Sequence, residues 1–327
     1  MKTRKIGPFE VSAVGLGCMN LSHAYGHPPT PEDAAELLLK ALDLGYSHFD
    51  TASLYGFGAN ESLVGKTLKP RRGEFMLASK CGMTGVDGKR VIDGRPETIK
   101  RTCEESLHRL QTEVIDLYYL HRWDKSVPIE DSVGALADLV AAGKILTIGL
   151  SEVSAATLRK AHAVHPIAAL QTEYSLWTRN PEIAVLEACH ELGVAFVAFS
   201  PIARGFLGGE LRDVSTLPPK DIRLQMPRFQ GDNFLANLKL LDGYEALAFE
   251  ADCTPGQLAL AWLLNHSLDL APIAGTTNLD HLAENAAAPD VVLSPSMMQR
   301  LNALINPETV HGTRYNAATQ TEIDTEG

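Results

Sequence analysis

The chain has 327 residues, 45% of them hydrophobic and 6% aromatic, with 29 Lys and Arg against 40 Asp and Glu and a formal net charge of −11. That balance argues against nucleic acid, since no Lys/Arg cluster offers the phosphate-neutralising surface such binding needs. Cys18, Cys81, Cys103, Cys189 and Cys253 follow no CxxC spacing, so no disulfide framework or zinc site follows and a reducing cytoplasm fits; residues 1–8 show no apolar signal region, and no stretch approaches the apolar length of a membrane span.

Alternation across residues 3–11 about the turn dipeptide Gly7-Pro8 predicts a β-hairpin ahead of the main fold. Thr30 caps a helix that opens Pro31-Glu32-Asp33, carries the stripe Leu37, Leu38, Ala41 and Leu42, and ends at Gly45. Similar helices are expected from Arg95-Pro96-Glu97 through Leu110, and over residues 130–142 up to Gly143. Between helices run short stretches rich in aromatic and branched residues, which read as buried strands. These are 46–49 leading to Asp50, 75–79 to Lys80 and 115–120 to His121, then 145–150, 168–171 and 194–199, with 270–273 and 291–293 weaker. Eight strands alternating with helices predict an α/β fold, a (β/α)8 TIM barrel with an N-terminal hairpin.

The rhythm breaks between Ser200 and Leu270, where a long loop follows strand 6. Long loops in compact domains are usually functional or disordered, and here a lid over cofactor or substrate is expected. Residues 1–310 read as a single barrel catalytic domain. Residues 311–327 form a polar tail without a helical pattern, which either frays or folds back across the barrel mouth.

In a barrel of this kind the strand C-termini meet on one face, where catalytic groups gather. Asp50, Tyr55, Lys80 and His121 all fall at or just after strand ends. An ammonium beside a phenol favours the phenolate, a carboxylate holds the ammonium, and an imidazole can bond a substrate oxygen. The set suits proton transfer to a carbonyl oxygen, with a hydride donor supplying the rest. Taken singly, Asp50 is equally well a helix cap, Tyr55 a rim aromatic and His121 a core histidine; Lys80 at the end of an apolar strand is harder to explain structurally.

Gly15-Leu-Gly17, Phe49-Asp-Thr-Ala-Ser-Leu-Tyr-Gly56, Ser79-Lys80 and Leu117-Tyr-Tyr-Leu-His-Arg-Trp-Asp124 together resemble the aldo-keto reductase family. The likeness continues in order through residues 143–151, 171–175, 199–205, 275–277 and Glu284-Asn285, and is nearest the bacterial and plant or fungal branch with long loops. It implies a barrel that binds a nicotinamide dinucleotide across the strand ends, NADP(H) first with NAD(H) as the alternative. Carried over by position, Tyr55 is the general acid/base, Lys80 and Asp50 tune it, and His121 orients the carbonyl. Ser151 and Gln171 would hold the carboxamide, with Glu152 where many members have Asn, and Phe199 would stack on the nicotinamide. Ser200, Pro201, Ile202, Arg204 and Gly205 would meet the pyrophosphate, and Glu284 and Asn285 the adenine. Gly17, Cys18 and Met19 would lie near the nicotinamide, and Trp123, with less weight Tyr25 and Phe57, at the substrate.

One part of the pattern departs from the family. The stretch Gly275, Thr276, Thr277, Asn278 to His281 would border the 2′-phosphate, and Asn278 and His281 stand where NADPH-selective members carry Lys or Arg. Such a pocket binds phosphate more weakly than one with a bidentate Arg. The resemblance thus implies a reversible, nicotinamide-dependent reductase of small-molecule aldehydes or ketones, with hydride from the nicotinamide and the proton from Tyr55. The competing reading is a non-catalytic nicotinamide-binding regulatory or scaffold subunit, against which the complete tetrad weighs. A hydrolase using paired carboxylates would need two acids at strand ends, and only Asp50 is well placed.

Overall fold

A computed structural model describes residues 1–86 and 89–326. The hairpin forms as expected from β1 (Thr3–Ile6) and β2 (Phe9–Ser12), which pair antiparallel. Eight parallel strands then close into a barrel: β3 (Gly15–Gly17), β4 (His48–Asp50), β5 (Met76–Cys81), β8 (Ile115–Leu120), β9 (Ile145–Ser151), β10 (Ile167–Glu173), β11 (Ala195–Phe199) and β12 (Leu270–Ala274). A second antiparallel hairpin, β6 (Met83–Val86) with β7 (Lys89–Ile92), follows β5.

Helices α1 (Pro31–Asp43), α2 (Ala59–Leu68), α3 (Pro96–Leu110), α4 (Ile129–Ala141), α5 (Ala155–Val164) and α6 (Val185–Leu192) occupy the first connections. Thr30 caps α1 by accepting from the Asp33 N–H, and Leu37, Leu38, Ala41 and Leu42 are its buried face, as the sequence predicts. Four elements depart from expectation. The first barrel strand is Gly15–Gly17, too short and glycine-rich to show a strand pattern, and residues 291–293 are irregular chain before α10 (Pro295–Leu304). The long connection therefore follows the seventh barrel strand, not the sixth. Only its first part, to residue 230, is a run of turns; the rest forms α7 (Gly231–Glu250) and α8 (Pro255–His266), ahead of α9 (Leu279–Ala287). The tail also contains a helical turn, α11 (Ala317–Gln320).

Two apolar clusters organise the barrel. Inside, Ala78, Leu117, Tyr119, Ala169, Val197 and Ala271 pack with Ile6 and Val11 of the first hairpin, which closes one end. Outside, Phe49, Leu77, Tyr118, Leu120, Ile148, Leu150, Leu170 and Phe196 pack against the helices. Because side chains alternate along a strand, each inward row continues to the strand exit. Met76-Ala78 lead to Lys80, Leu117-Tyr119 to His121, Ala169 to Gln171, and Ala195-Val197 to Phe199. Gly149 makes room for one large inward ring, since a Cβ there would lie 2.3 Å from Cδ1 of Tyr119.

Candidate active site

The loop after β4 is pinned to β5 before it delivers Tyr55. Thr51 and Ser53 N–H groups donate to the carbonyls of Ala78 (2.9 Å) and Lys80 (3.2 Å). The Thr51 hydroxyl bonds Oδ1 of Asn60 at 2.6 Å, and Nδ2 of Asn60 donates to the Cys18 carbonyl at 2.8 Å. Gly56, Phe57 and Gly58 then take positive φ (57°, 52° and 93°), a left-handed turn that lets the chain leave Tyr55 and enter α2.

This brings the four expected residues together. Lys80, fully buried, donates to a carboxylate oxygen of Asp50, to the Thr51 carbonyl at 2.9 Å and to the Tyr55 hydroxyl at 3.3 Å. The other Asp50 oxygen accepts from Nε2 of Gln171 at 2.8 Å. The Tyr55 and His121 rings meet edge to face, 5.8 Å between centroids. Burial opposes the Lys80 charge, yet Asp50 and then Tyr55 outweigh it and raise the ammonium above its usual pKa. Burial, then Arg122 and Lys80, push His121 well below the ordinary histidine value, so the imidazole is neutral.

Tyr55 corrects the sequence expectation. Burial, the largest influence, raises the phenol; Lys80 pulls it down, but Asp50 cancels part of that pull, and the net shift is upward. At neutral pH Tyr55 is therefore the neutral phenol, the form that donates a proton.

Asp50, Tyr55 and His121 open into a cavity of about 570 Å³. Of the expected cofactor residues, Gly17, Met19, Ser151, Gln171, Phe199 and Gly275 line it, as do Ser200, Pro201, Ile202, Arg204 and Gly205. Ser200, Ala203 and Arg204 hold positive φ (51°, 50° and 58°), backbone strain of the kind that collects at functional loops, and Gly205 continues the turn at 88° without that cost. Arg204 is not a free cation: it pairs with Glu173 and bonds the hydroxyls of Tyr25 (3.2 Å) and Tyr315 (3.1 Å). Ile222, Arg223 and Met226, from the expected lid, complete one wall.

Other expected residues lie off the cavity wall. Cys18 is sealed, with burial and then Asp50 raising its thiol. Trp123 is not a lining residue; its indole N–H donates to the Val127 carbonyl at 2.9 Å. Thr276 Oγ1 accepts from the Asn278 N–H at 3.0 Å, and Asn278 spends its side chain capping α9, accepting from the Asp280 and His281 N–H groups. Thr277 is exposed at the turn entering α9. His281 faces Glu210, Nε2 to Oε1 3.3 Å. Glu284 accepts from Thr254 at 3.4 Å, and Asn285 is buried.

Sequence reasoning missed Asn20, His23, Arg90 and Arg122, all cavity residues, and the tail's Tyr315, Asn316 and Thr319. The tail folds back across the mouth. Arg314 pairs with buried Glu152, Arg90 with Glu322, Asp324 accepts from Ser154 and Thr157, and Lys125 donates to the carbonyls of Thr321 (3.0 Å) and Ile323 (2.8 Å). Position inside the block 117–124 was the one signal for Arg122, which follows His121 directly.

The model of the Aldo/keto reductase family matches residues 13–306. A probable aldo-keto reductase 1 of Glycine max is 44% identical over 312 residues, 94% of this chain and 89% of that protein. The NADP(+) aldo-keto reductase yakc of Schizosaccharomyces pombe is 42% identical over 321 residues, 96% and 94% of the two chains. Among solved structures, a glycerol dehydrogenase from Gluconobacter oxydans superposes with a TM-score of 0.85 at 28% identity, covering 92% of this chain and 94% of its own. An aldo/keto reductase from Klebsiella pneumoniae, solved with NADP and acetate, gives a TM-score of 0.73 at 27% identity over 96% and 99%. With its buried tetrad at the mouth of a closed eight-stranded barrel and a family match over nearly its whole length, this chain belongs to the aldo/keto reductase family.

Proposed function

We propose that this chain reversibly reduces aldehydes or ketones with NADP(H), and that Tyr55 supplies the proton. The observation that carries the reading is the buried Lys80 ammonium, clamped by Asp50 and 3.3 Å from the hydroxyl of Tyr55, which itself lines a cavity shared with His121. Neutral His121 donates a hydrogen bond to the carbonyl oxygen and holds it toward Tyr55. Tyr55 gives its proton to that oxygen as negative charge develops there. Lys80 stabilises the phenolate left behind, and Asp50 with Gln171 keeps the ammonium aimed. In the oxidative direction Tyr55 takes the alcohol proton by the same contacts.

The residues present fit a nicotinamide dinucleotide: amide and hydroxyl groups of Gln171 and Ser151, the Phe199 ring and the left-handed 200–205 turn share one cavity wall. When bound, the reduced nicotinamide supplies the hydride. NADP(H) is preferred because the fission-yeast relative, similar over nearly the whole chain, carries NADP(+) in its name. NAD(H) is the second choice, since His281 and Asn278 are engaged with Glu210 and the α9 backbone. Among the described residues no helix is long and apolar enough to cross a membrane. The five free thiols favour a reducing, cytoplasmic setting. A screen of aldehydes and ketones with both cofactors, following nicotinamide absorbance, tests the reading. Cofactor binding with no turnover on any carbonyl would instead support a regulatory subunit.

A further inference from the structure

Arg122 leaves β8 directly after His121, and its guanidinium faces the same cavity while the residue is 9% exposed. Its Nη1 donates to the His121 carbonyl (2.7 Å) and to Oγ of Ser151 (3.2 Å). Nε and Nη2 have no acceptor among the described residues, and neither atom is closed off from the cavity. The other arginines of the cavity are each matched by a carboxylate: Arg90 by Glu322, Arg204 by Glu173 and Arg223 by Asp221. Of these four cavity arginines, Arg122 alone has no acidic partner among the described residues. Asp50, the one acid in the described cavity wall, is turned to Lys80 and Gln171.

A buried charge is ordinarily paired. We propose that the partner of Arg122 is the substrate itself: it binds an anionic group, carboxylate or phosphate, borne by the carbonyl compound. The open edge of a guanidinium presents parallel N–H groups that match two oxygens of either anion. Its anchored edge is tied to the backbone of His121, so the anion is held in fixed relation to the reacting carbonyl. This substrate class rests on the reductase reading above.

Matched substrates isolate the charge: succinate semialdehyde against its methyl ester, and glyceraldehyde 3-phosphate against glyceraldehyde. One charge-assisted fork is expected to favour the anion by about ten- to a hundredfold in kcat/KM, mostly through KM. The pair with the larger ratio distinguishes carboxylate from phosphate. Arg122→Met should bring that ratio close to one, and Arg122→Lys, which keeps the charge but not the fork, should retain part of it. If Arg122→Met does not fold, Arg122→Gln and Arg122→Lys carry the comparison. A native enzyme indifferent to the charge, or a preference that survives loss of the guanidinium, overturns the proposal and leaves the reductase reading standing. An equal loss on charged and neutral substrates also overturns it, assigning Arg122 to the support of Ser151. If the native protein reduces no carbonyl at all, the reductase reading fails separately. Calorimetric titration with succinate and with inorganic phosphate then decides this proposal: binding that weakens in both Arg122 variants supports it, and no binding, or unchanged binding, overturns it.

Discussion

Glu152, at the exit of β9, and Arg314, in the C-terminal tail, form an ion pair with side chains only 0% and 8% exposed. Glu152 takes a positive φ of 57° there, and Arg314 also lies 3.9 Å from Glu173. The pair ties the tail to two strand ends, and its neighbour Tyr315 forms part of the cavity wall.

Breaking that pair from one side should be costly. Arg314→Met leaves Glu152 buried without its cation, a loss expected at about 3–5 kcal/mol. Adding Glu152→Gln should restore part of it. Urea unfolding of both single variants and of the double measures this, and single effects that simply add in the double would show that the pair is not coupled.

Acid should loosen the same corner. Burial works against the Glu173 charge, but Arg204, Arg314 and Arg228 together hold its carboxyl below the usual range. A lowered folded pKa gives stability that is complete above the unfolded value, about 4.3, and is lost as pH falls through the folded one. Arg204→Met should reduce that acid-side loss of stability, read from unfolding midpoints taken between neutral pH and pH 3.

Tyr55→Phe should remove the proton donor and keep the ring. Turnover on any accepted carbonyl is expected to fall at least ~10²-fold, within the ~10²–10⁴ range of general acid catalysis. Cofactor affinity should change little by fluorescence titration. Retention of a tenth of native turnover, with chemistry rate-limiting, would remove Tyr55 from the acid role.

Lys80→Met should shift the pH profile of alcohol oxidation upward. Burial already raises the Tyr55 phenol and Lys80 is the main influence restraining it. Without the ammonium the phenolate forms only at higher pH. The variant also strands Asp50, so Lys80→Met with Asp50→Asn is the cleaner background for the measurement. An unmoved profile would exclude Lys80 from tuning Tyr55.

Cofactor choice should be modest and adjustable. If the family position of the 2′-phosphate holds, Glu210 lies close to it through His281. Glu210→Gln and His281→Arg should each raise the ratio of NADPH to NADH affinity, by about tenfold or more for a new charge-assisted bond. Asn278→Lys is a poorer test, because losing the α9 cap costs about 1 kcal/mol. A native preference above about a thousandfold, indifferent to both changes, would place the phosphate on other cations.

Lys80 and His121 were legible because each follows the inward row of a strand with a clear apolar pattern, whereas Asp50 closes a three-residue strand and Tyr55 lies in the turn after it, so those two were legible only through the motif they share. The helix from Thr30 was legible for similar reasons, with cap, proline and stripe all agreeing. Gly15–Gly17 was not legible as a barrel strand, since three residues cannot display alternation. Helix α7 does carry a buried row, Phe234, Asn237, Leu241, Tyr244 and Leu247, but exposed Leu235 and Phe249 blur it, at 60% and 89% exposure. The tail hid for another reason. Apart from buried Tyr315 and Ile323, its attachment is by ion pairs and backbone carbonyls to distant residues, and nothing in a polar run announces such partners. The downward pull of Lys80 on Tyr55 was readable from their places at or just after strand ends, whereas the opposing effect of burial depends on how tightly the barrel closes around the ring.

The inward rows have a consequence for how this molecule can change. Lys80, His121 and Gln171 share their strand register with the residues that fill the barrel, so a one-residue slip would empty the core and scatter the chemistry together. The rim is built differently, from a hairpin, a lid and a tail outside the barrel ladder, joined to it and to each other by ion pairs such as Arg90–Glu322 and Arg314–Glu152 and by buried rings such as Phe206, Phe229 and Tyr315. Grafting those three segments from a relative should therefore carry over what the enzyme accepts, while the reaction it performs stays with the strands.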